Sequence, residues 1–398
     1  MTLELAAPGS KSITQRALVL AALADGTTEL LGPLDCDDSR HLRAALRTVG
    51  IAVREETGDD DTPRWRIQGG PLRPPDGTVF CGNAGTTLRF CAALSLLLDG
   101  PLTLDGDEHL RARPIGNLAS ALERLGVRSR YLGRPGCPPL ELQRVAPAAS
   151  TVELDASRSS QFASALLLVA PRLPQGLAVR LTGTAVSRPY LDLTVEALRA
   201  FGATVERLSE GWRVAPGPLS GARFAVEGDW SSAAFLLAAG RIAGRDVRVT
   251  NLRGGSVQGD RAIVGFLEAT AGPGPRSFDL VDCPDLIAPL AAVAAFADGA
   301  TELRRVAHAR VKESDRIRVL AEGLRRAGVH VDELDDGLRI RPGSTMEPAE
   351  RTLDPHDDHR MAMAFGLLSL RRPGLRVANP GCVGKSFPGF WDALERFR

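Results

Sequence analysis

The chain has 398 residues, of which 44% are hydrophobic and 24% are charged, and its net charge is +1. This length exceeds what one hydrophobic core usually supports, so we predict two domains. The balanced charge is not typical of proteins that bind nucleic acid or membrane surfaces, so we expect neither kind of partner.

Six segments of the chain share one pattern. In each, a short apolar strand leads through a polar loop into a helix rich in Ala and Leu, which ends near Gly or Pro and precedes a second strand. The six copies begin, in chain order, at Leu3, Val79, Thr151, Arg223, Ser277 and Arg351. Several copies are followed by a segment such as YLDLTVEALRAFG. We predict that these segments are amphipathic helices, because their apolar positions recur every three to four residues. Each copy therefore predicts strand, helix, strand, helix, strand, strand.

The Ala-rich helices have no strong polar face, which is typical of buried helices. We therefore predict a mixed α/β (α+β) fold, in which each of two domains packs three βαβαββ repeats around these helices, with the sheets outside. The link near 215–228 is rich in Pro and Gly and marks the predicted boundary. Residues 10–227 then form the first domain, and residues 228–398 form the second with a strand from residues 1–9.

The loops that open the Ala-rich helices carry polar residues at equivalent points of the repeats. These residues are Lys11, Ser12, Asn83, Ser159, Ser160, Gln161, Asp229, Ser231, Ser232, Asp285, Asp358, His359 and Arg360. Helix N-termini bind anions through free backbone N–H groups. Each residue alone could simply cap its helix. Six such loops together favour one anion site shared by the two domains.

Lysine is rare in this chain. Lysine and arginine total 49, but only Lys11, Lys312 and Lys385 are lysines. An ammonium group is compact and can exchange a proton, whereas a guanidinium cannot. All three lysines lie in separate polar motifs, so we predict that they belong to the functional site.

Two further motifs concentrate charge. HARVKESDRI holds Lys312, Glu313 and Arg316, although a charged, solvated helix start would look the same. HDDHRMAMAF alternates His and Asp as a metal site would, but Arg360 beside them suits an anion better, so we predict no metal. Asp285 and Glu313 are the candidate acid/base carboxylates.

Three features favour a cytoplasmic protein. The N-terminal MTLELAAPGSKS lacks the basic and apolar regions of a secretory signal. The longest apolar stretch, 286–297, is too short to cross a bilayer. The six cysteines contain no C-x-x-C pair, which favours a reducing compartment over disulfides or zinc.

The motifs taken together resemble those of the 5-enolpyruvylshikimate-3-phosphate synthase family. PGSKSITQRA, GNAGTTLRF, RARPIG, SRSSQF, VSRPYLD, EGDWSSAAF, RVKESDRI, DDHRMAMAF and GKSFPG occur in the family's order, from residue 8 to about residue 389. The resemblance implies two inverse α/β barrel-like domains with the active site in the cleft between them. It also implies a monomer that uses no metal or organic cofactor.

The resemblance implies a reaction of the shikimate pathway, which leads to aromatic amino acids. The 5-hydroxyl of shikimate 3-phosphate attacks C2 of phosphoenolpyruvate while C3 is protonated, and the tetrahedral intermediate then loses phosphate. Asp285 would accept the hydroxyl proton, and Glu313 would handle the proton at C3 with Lys11 as a partner.

The resemblance also implies the residues that bind each substrate. Those for shikimate 3-phosphate are Lys11, Ser12, Arg16, Ser159, Ser160, Gln161, Ser187, Tyr190, Asp285, His308 and Lys312. Those for phosphoenolpyruvate are Lys11, Asn83, Gly85, Arg113, Gln161, Arg316, Arg360 and Lys385. His308 stands where many relatives have Asn, and Phe90 stands where Pro often follows the arginine of GNAGTxxR.

Two other functions fit parts of the sequence. The enzyme that places enolpyruvyl on UDP-N-acetylglucosamine shares the fold and phosphoenolpyruvate, but its usual loop cysteine has no clear match here. A non-catalytic anion-binding or RNA-associated module could use the same repeats. The neutral net charge and the aromatic content of 5% disfavour that module.

Overall fold

The computed structural model describes residues 2–58, 62–157, 159–221, 223–341 and 350–398. The strands are β1 Leu3–Leu5, β2 Thr27–Leu31, β3 Ala52–Thr57, β4 Pro63–Gln68, β5 Val79–Phe80, β6 Leu102–Asp105, β7 Val127–Tyr131, β8 Leu140–Arg144, β9 Thr151–Asp155, β10 Leu177–Thr182, β11 Val205–Leu208, β12 Gly211–Val214, β13 Arg223–Ala225, β14 Val247–Val249, β15 Arg276–Asp279, β16 Thr301–Arg304, β17 His330–Leu334, β18 Gly337–Arg341, β19 Arg351–Leu353 and β20 Leu375–Val377.

The α-helices are α1 Lys11–Leu23, α2 Asp37–Thr48, α3 Gly85–Leu94, α4 Glu108–Arg111, α5 Gly116–Arg124, α6 Ser160–Val169, α7 Pro189–Ala200, α8 Trp230–Ala243, α9 Ile263–Ala269, α10 Ile287–Ala294, α11 Arg316–Arg326, α12 His359–Ser369 and α13 Phe390–Glu395. Short 3-10 helices are Ala170–Arg172, Gly259–Ala262, Pro284–Leu286, Ala307–Val311 and Pro380–Lys385. In the described ranges, no helix is long and apolar enough to cross a membrane.

The chain forms two units, each with its own hydrophobic core. One unit is Gly9–Glu227, and the other combines the segment up to Pro8 with Gly228–Arg398. In the first unit α1, α3 and α6 pack together, and in the second α8, α10 and α12 do so. Every residue of α1 from Ile13 to Leu23 is buried. The predicted burial of the Ala-rich helices is therefore confirmed. Their small side chains let the three helices of each unit pack closely against one another.

The unit Gly9–Glu227 contains three four-stranded sheets, in the orders β13-β2-β4-β3, β5-β6-β8-β7 and β11-β12-β10-β9. Each sheet combines one parallel pair with an antiparallel hairpin. The mixed α/β class is as predicted. The leading strands of the first and fourth copies lie in a different unit from the rest of their copy. β13 pairs with β2, with Arg223 opposite Glu29, whereas β1 pairs with β14, with Leu3 opposite Val247.

This exchange has a simple physical reason. The parallel partner of a strand is set by hydrogen bonding across the sheet and not by the helix that follows the strand in the chain. The copy that begins at Leu3 therefore gives its strand to the second unit, and the copy that begins at Arg223 gives its strand to the first.

The second unit departs from the βαβαββ pattern in two of its three repeats. Its sheets are β15-β16-β18-β17, with four strands, and the pairs β1-β14 and β19-β20. In the described part of the chain, α9 leads directly to β15, and β20 leads to Pro380–Lys385 and α13. Among the described residues of this unit, only the fifth copy therefore has the predicted hairpin.

Glycines follow three of the amphipathic helices. Gly126, Gly202 and Gly328 follow α5, α7 and α11 with φ of +89°, +88° and +76°. Glycine adopts this left-handed region without the steric cost that a Cβ imposes.

Candidate active site

In the unit Gly9–Glu227, the first turns of three helices meet around Lys11. Lys11 is the first residue of α1, and its Nζ lies 3.0 Å from Oδ2 of Asp38 at the start of α2. The Asp38 side chain is 4% exposed, and its carbonyl accepts a hydrogen bond from Oγ1 of Thr87 on α3 at 3.1 Å. Asp38 was missed in the sequence, because an acidic residue in a helix first turn ordinarily serves the helix dipole.

The start of α3 lies against two guanidinium groups. A Cβ at Gly85 would be 2.7 Å from Cζ of Arg113 and 2.7 Å from Nη1 of Arg89. Arg89 Nη1 donates to Oε1 of Gln161 at 2.5 Å, and its Nη2 donates to the carbonyl of Pro114. The structure therefore brings the predicted residues Gly85, Arg113 and Gln161 together. Arg89, the arginine of the GNAGTTLRF motif, was not among the predicted site residues.

Arg16 is placed differently from the expectation that it shares an anion with Lys11. Its Nε donates to Oγ1 of Thr194 at 2.9 Å, and its Nη2 donates to Oγ of Ser164 and to the carbonyl of Tyr190. The residue is 2% exposed. Arg16 therefore fastens α1 to α6 and α7 from inside the unit.

The serines of the predicted phosphate site lie at the starts of α6 and α7. Ser159 caps α6 by accepting a hydrogen bond from the N–H of Gln161, and Ser160 is buried in the first turn. Ser187 precedes α7 with φ of +55°, a conformation that is costly for a residue with a Cβ and that clusters at functional sites. Arg158, in the motif SRSSQF, lies outside the described residues.

The second unit contains an ion-pair cluster centred on Arg316, which we call the Arg316 cluster. The guanidinium of Arg316 contacts three carboxylates: Nε lies 2.8 Å from Asp358, Nη1 lies 2.7 Å from Asp285, and Nη2 lies 2.6 Å from Glu313. Arg360 completes the cluster, with its Nη2 3.0 Å from the second oxygen of Asp285. The cluster joins the predicted residues of the KESDR and DDHR motifs to the predicted base.

The charges in this cluster decide the ionisation of Asp285. Burial alone would raise the pKa of Asp285, but the positive charges of Arg360, Arg316 and Lys312 hold it well below its usual range. Burial alone would lower the pKa of Arg316, yet the surrounding carboxylates raise it. Asp285 is therefore ionised at neutral pH. The two arginines contribute more to this than Lys312 does.

Asp358 connects the cluster to the backbone of α12. Its Oδ1 accepts from the N–H of Arg360 at 3.0 Å, and its Oδ2 accepts from Oγ of Ser314 at 3.1 Å. The residue is fully buried. The acidic part of HDDHR thus caps a helix and binds a guanidinium. Among the described residues, no three His, Cys, Asp or Glu side chains are grouped as a metal site would need.

His308 and Lys385 lie at the ends of short 3-10 helices of the same unit and are both largely buried. In the described part of the chain, Nε2 of His308 has no hydrogen-bond partner. Burial and the nearby charge of Lys312 lower the pKa of His308 to about 4. His308 is therefore a neutral hydrogen-bonding side chain at pH 7.

Comparison with known proteins places these residues in context. The family model described as EPSP synthase (3-phosphoshikimate 1-carboxyvinyltransferase) matches residues 1–394. The protein of that name from Thiobacillus denitrificans is 41% identical over 416 residues, covering 97% of this chain and 95% of the relative. The one from Shewanella amazonensis is 38% identical, covering 97% and 94%.

Solved structures show the same similarity. EPSP synthase from Acinetobacter baumannii superposes with a TM-score of 0.79 and 26% identity, covering 99% of this chain and 95% of that one. The enolpyruvyl transferase NikO from Streptomyces tendae gives a TM-score of 0.73 at 16% identity, covering 100% and 94%. At that identity the second likeness concerns the fold alone.

Proposed function

The chain belongs to the EPSP synthase (3-phosphoshikimate 1-carboxyvinyltransferase) family, and from this we propose how its residues carry out enolpyruvyl transfer. It is an enzyme of the shikimate pathway that uses shikimate 3-phosphate and phosphoenolpyruvate. The 5-hydroxyl oxygen bonds to C2 of phosphoenolpyruvate while C3 gains a proton. The intermediate then loses a proton from C3, which is now a methyl group, and the C2–O bond to phosphate breaks, which restores the double bond. The Arg316 cluster is the observation that supports this assignment of roles.

The anionic groups of phosphoenolpyruvate would be bound by cations and helix starts. The proposed set is Lys11, Asn83, Gly85, Arg113, Gln161, Arg316, Arg360 and Lys385. Arg316 already holds three carboxylates, and in this proposal a substrate carboxylate replaces one of them. Asp358 is the fully buried cap of α12. Glu313 and Asp285 are 11% and 13% exposed, but Asp285 is also held by Arg360. Glu313 is therefore the carboxylate that gives way, which frees it for proton transfer at C3.

Shikimate 3-phosphate would be bound by hydroxyl, amide and charged groups. The proposed set is Lys11, Ser12, Arg16, Ser159, Ser160, Gln161, Ser187, Tyr190, Asp285, His308 and Lys312. The N-terminus of α6 suits the 3-phosphate, since serine hydroxyls and backbone N–H groups both donate to phosphate. Arg16 acts indirectly, because it holds the backbone of Tyr190 in place.

Asp285 would accept the proton of the 5-hydroxyl. A carboxylate whose pKa lies far below its usual range is a weak base, so it needs activation. When a substrate anion binds Arg360 and Arg316, its negative charge offsets the field of both guanidinium groups at Asp285. The proton affinity of Asp285 then rises only in the complex that reacts.

The substitution Asp285→Asn tests this role. Loss of a general base costs about 100- to 10,000-fold in rate, so kcat should fall by that factor while both KM values change less than about tenfold. Asp279→Asn, which removes an exposed carboxylate paired with Arg305, is the control and should keep wild-type kinetics. A kcat of the Asp285 variant close to wild type would rule out the proposed base.

We also propose that the enzyme acts as a monomer in the cytoplasm. All six cysteines are free thiols, five of them buried, which suits a reducing compartment. Light scattering of the purified protein should give a mass near 42.3 kDa, and twice that value would contradict the proposal.

A further inference from the structure

Asp260 is a buried carboxyl group that the proposed reaction does not use. It lies in the 3-10 helix Gly259–Ala262 and is 2% exposed. Its Oδ2 accepts a hydrogen bond from the hydroxyl of Ser231 at the start of α8. Its Oδ1 has no hydrogen-bond partner in the part of the chain that the structure describes.

This environment favours the neutral form of the carboxyl group. An ionised carboxylate can accept about four hydrogen bonds, and Asp260 receives one from a side chain. A buried, poorly solvated negative charge is costly. Burial, the negative charge of Asp285 and that of Asp229 raise the pKa of Asp260 to about 7, although Arg360 and the Ser231 hydroxyl act in the opposite direction.

Asp260 is in electrostatic reach of the Arg316 cluster. The titratable and charged groups that face it are Asp229 from the start of α8, Cys283 and Asp285 from the segment before α10, and Arg360 from α12. Arg261, on the same 3-10 helix, is exposed. Asp260 and Asp285 thus share the influence of Arg360, but Asp285 also has the ion pair with Arg316.

We propose that Asp260 is a positioning residue that takes up a proton from solvent when an anionic substrate binds Arg360, so that Asp285 stays ionised as the base. The inference rests on the proposed function, because it takes Arg360 as part of the phosphoenolpyruvate site. A bound anion offsets the charge of Arg360, and the carboxyl group with the fewest stabilising partners is the one that becomes protonated. Asp260 acts through Asp285 and does not contact the reacting atoms.

The expected pH dependence follows from the direction of this change. Protonated Asp260 favours anion binding, so the affinity for phosphoenolpyruvate is greatest below about pH 7. The affinity falls as the pH rises above 7 and through the pKa of Asp260 in the complex, which is higher than in the free protein. The total decrease is about tenfold for each unit by which the anion raises that pKa. The ionisation of phosphoenolpyruvate itself affects every variant equally.

Calorimetric titration of phosphoenolpyruvate into the whole protein, in buffers of different ionisation enthalpy, measures the proton directly. At pH 7 the wild type should take up on the order of half a proton per ligand, because Asp260 is then about half protonated. Asp260→Asn, which is neutral at every pH, should bind the ligand without that uptake and keep its affinity above pH 7. Asp298→Asn, an exposed carboxyl group of the same unit, should behave as the wild type.

Ser231→Ala provides a second variant in case Asp260→Asn does not fold. Removing the hydroxyl removes a hydrogen bond that favours the ionised form, so the pH at which uptake is largest should move upward. Binding with the same proton uptake in wild type and Asp260→Asn would overturn the inference and leave the anion site intact. An absence of any binding by the wild type would contradict the proposed site and the inference together.

Discussion

Gly85 shows how one missing Cβ shapes the phosphoenolpyruvate site. In Gly85→Ala the new methyl group would lie 2.7 Å from the guanidinium groups of Arg113 and Arg89, so at least one must move. Overpacking of this kind costs about 1–3 kcal/mol. We expect the KM for phosphoenolpyruvate to rise about tenfold or more, with a smaller change in kcat, in steady-state kinetics.

Gly217→Ala is the matched control, since nothing lies within 4 Å of a Cβ at that position. It should leave the KM for phosphoenolpyruvate unchanged. Equal KM values for wild type and Gly85→Ala would mean that Arg113 and Arg89 do not bind or position the anion.

His308 tests whether a neutral hydrogen-bonding group is enough at its position. Its lowered pKa, about 4, leaves it uncharged at pH 7, as an asparagine would be. His308→Asn should keep kcat/KM for shikimate 3-phosphate within about threefold of the wild-type value. His308→Leu should lower kcat/KM about five- to tenfold, which corresponds to the loss of one hydrogen bond. Equal losses in both variants would show that the imidazole itself is required.

At the residue scale, the sequence was most informative where a residue type is unusual. The scarcity of lysine singled out Lys11 and Lys312, which the structure places beside Asp38 and in the field of Asp285. Asp260 carried no such signal, because its chemistry arises from burial and from residues distant in sequence. Acidic side chains are common at helix starts, so only three-dimensional neighbours distinguish a cap from an ion pair.

At the element scale, two helical glycines give opposite predictions for the same substitution. A Cβ at Gly323 of α11 would lie 2.2 Å from the ring of Phe365 on α12, whereas Gly265 of α9 has open space. Ala is favoured over Gly in a helix by about 1 kcal/mol, but overpacking costs about 1–3 kcal/mol. Gly323→Ala should therefore lower the thermal unfolding midpoint, and Gly265→Ala should raise it by a few degrees. A higher midpoint for Gly323→Ala would contradict the described packing of α11 on α12.

The helices were predictable because their patterns are local. Apolar spacing and terminal glycines identified α5, α7 and α11, and the lack of a polar face identified the buried helices. Strand partners were not predictable in the same way. The partners of β1 and β13, and the two-stranded sheets β1-β14 and β19-β20, depend on pairing between segments far apart in the chain.

At the scale of the whole molecule, six similar segments predicted a repetitive α/β protein with two parts, and the chain forms two units with separate cores. The order of nine motifs along the chain predicted the family, which a match over residues 1–394 confirms. Repeats alone would not have done so, since a fold can host many functions. The reaction had to be argued from particular residues, such as Lys11, Asp285 and Glu313.

Phosphate release by the purified protein tests the central claim most directly. The protein would be mixed with phosphoenolpyruvate and either shikimate 3-phosphate or UDP-N-acetylglucosamine, with a chelator present. We predict release with shikimate 3-phosphate alone, unchanged by the chelator, because no step is assigned to a metal ion. Release only with UDP-N-acetylglucosamine, or with neither acceptor, would contradict the proposed transfer.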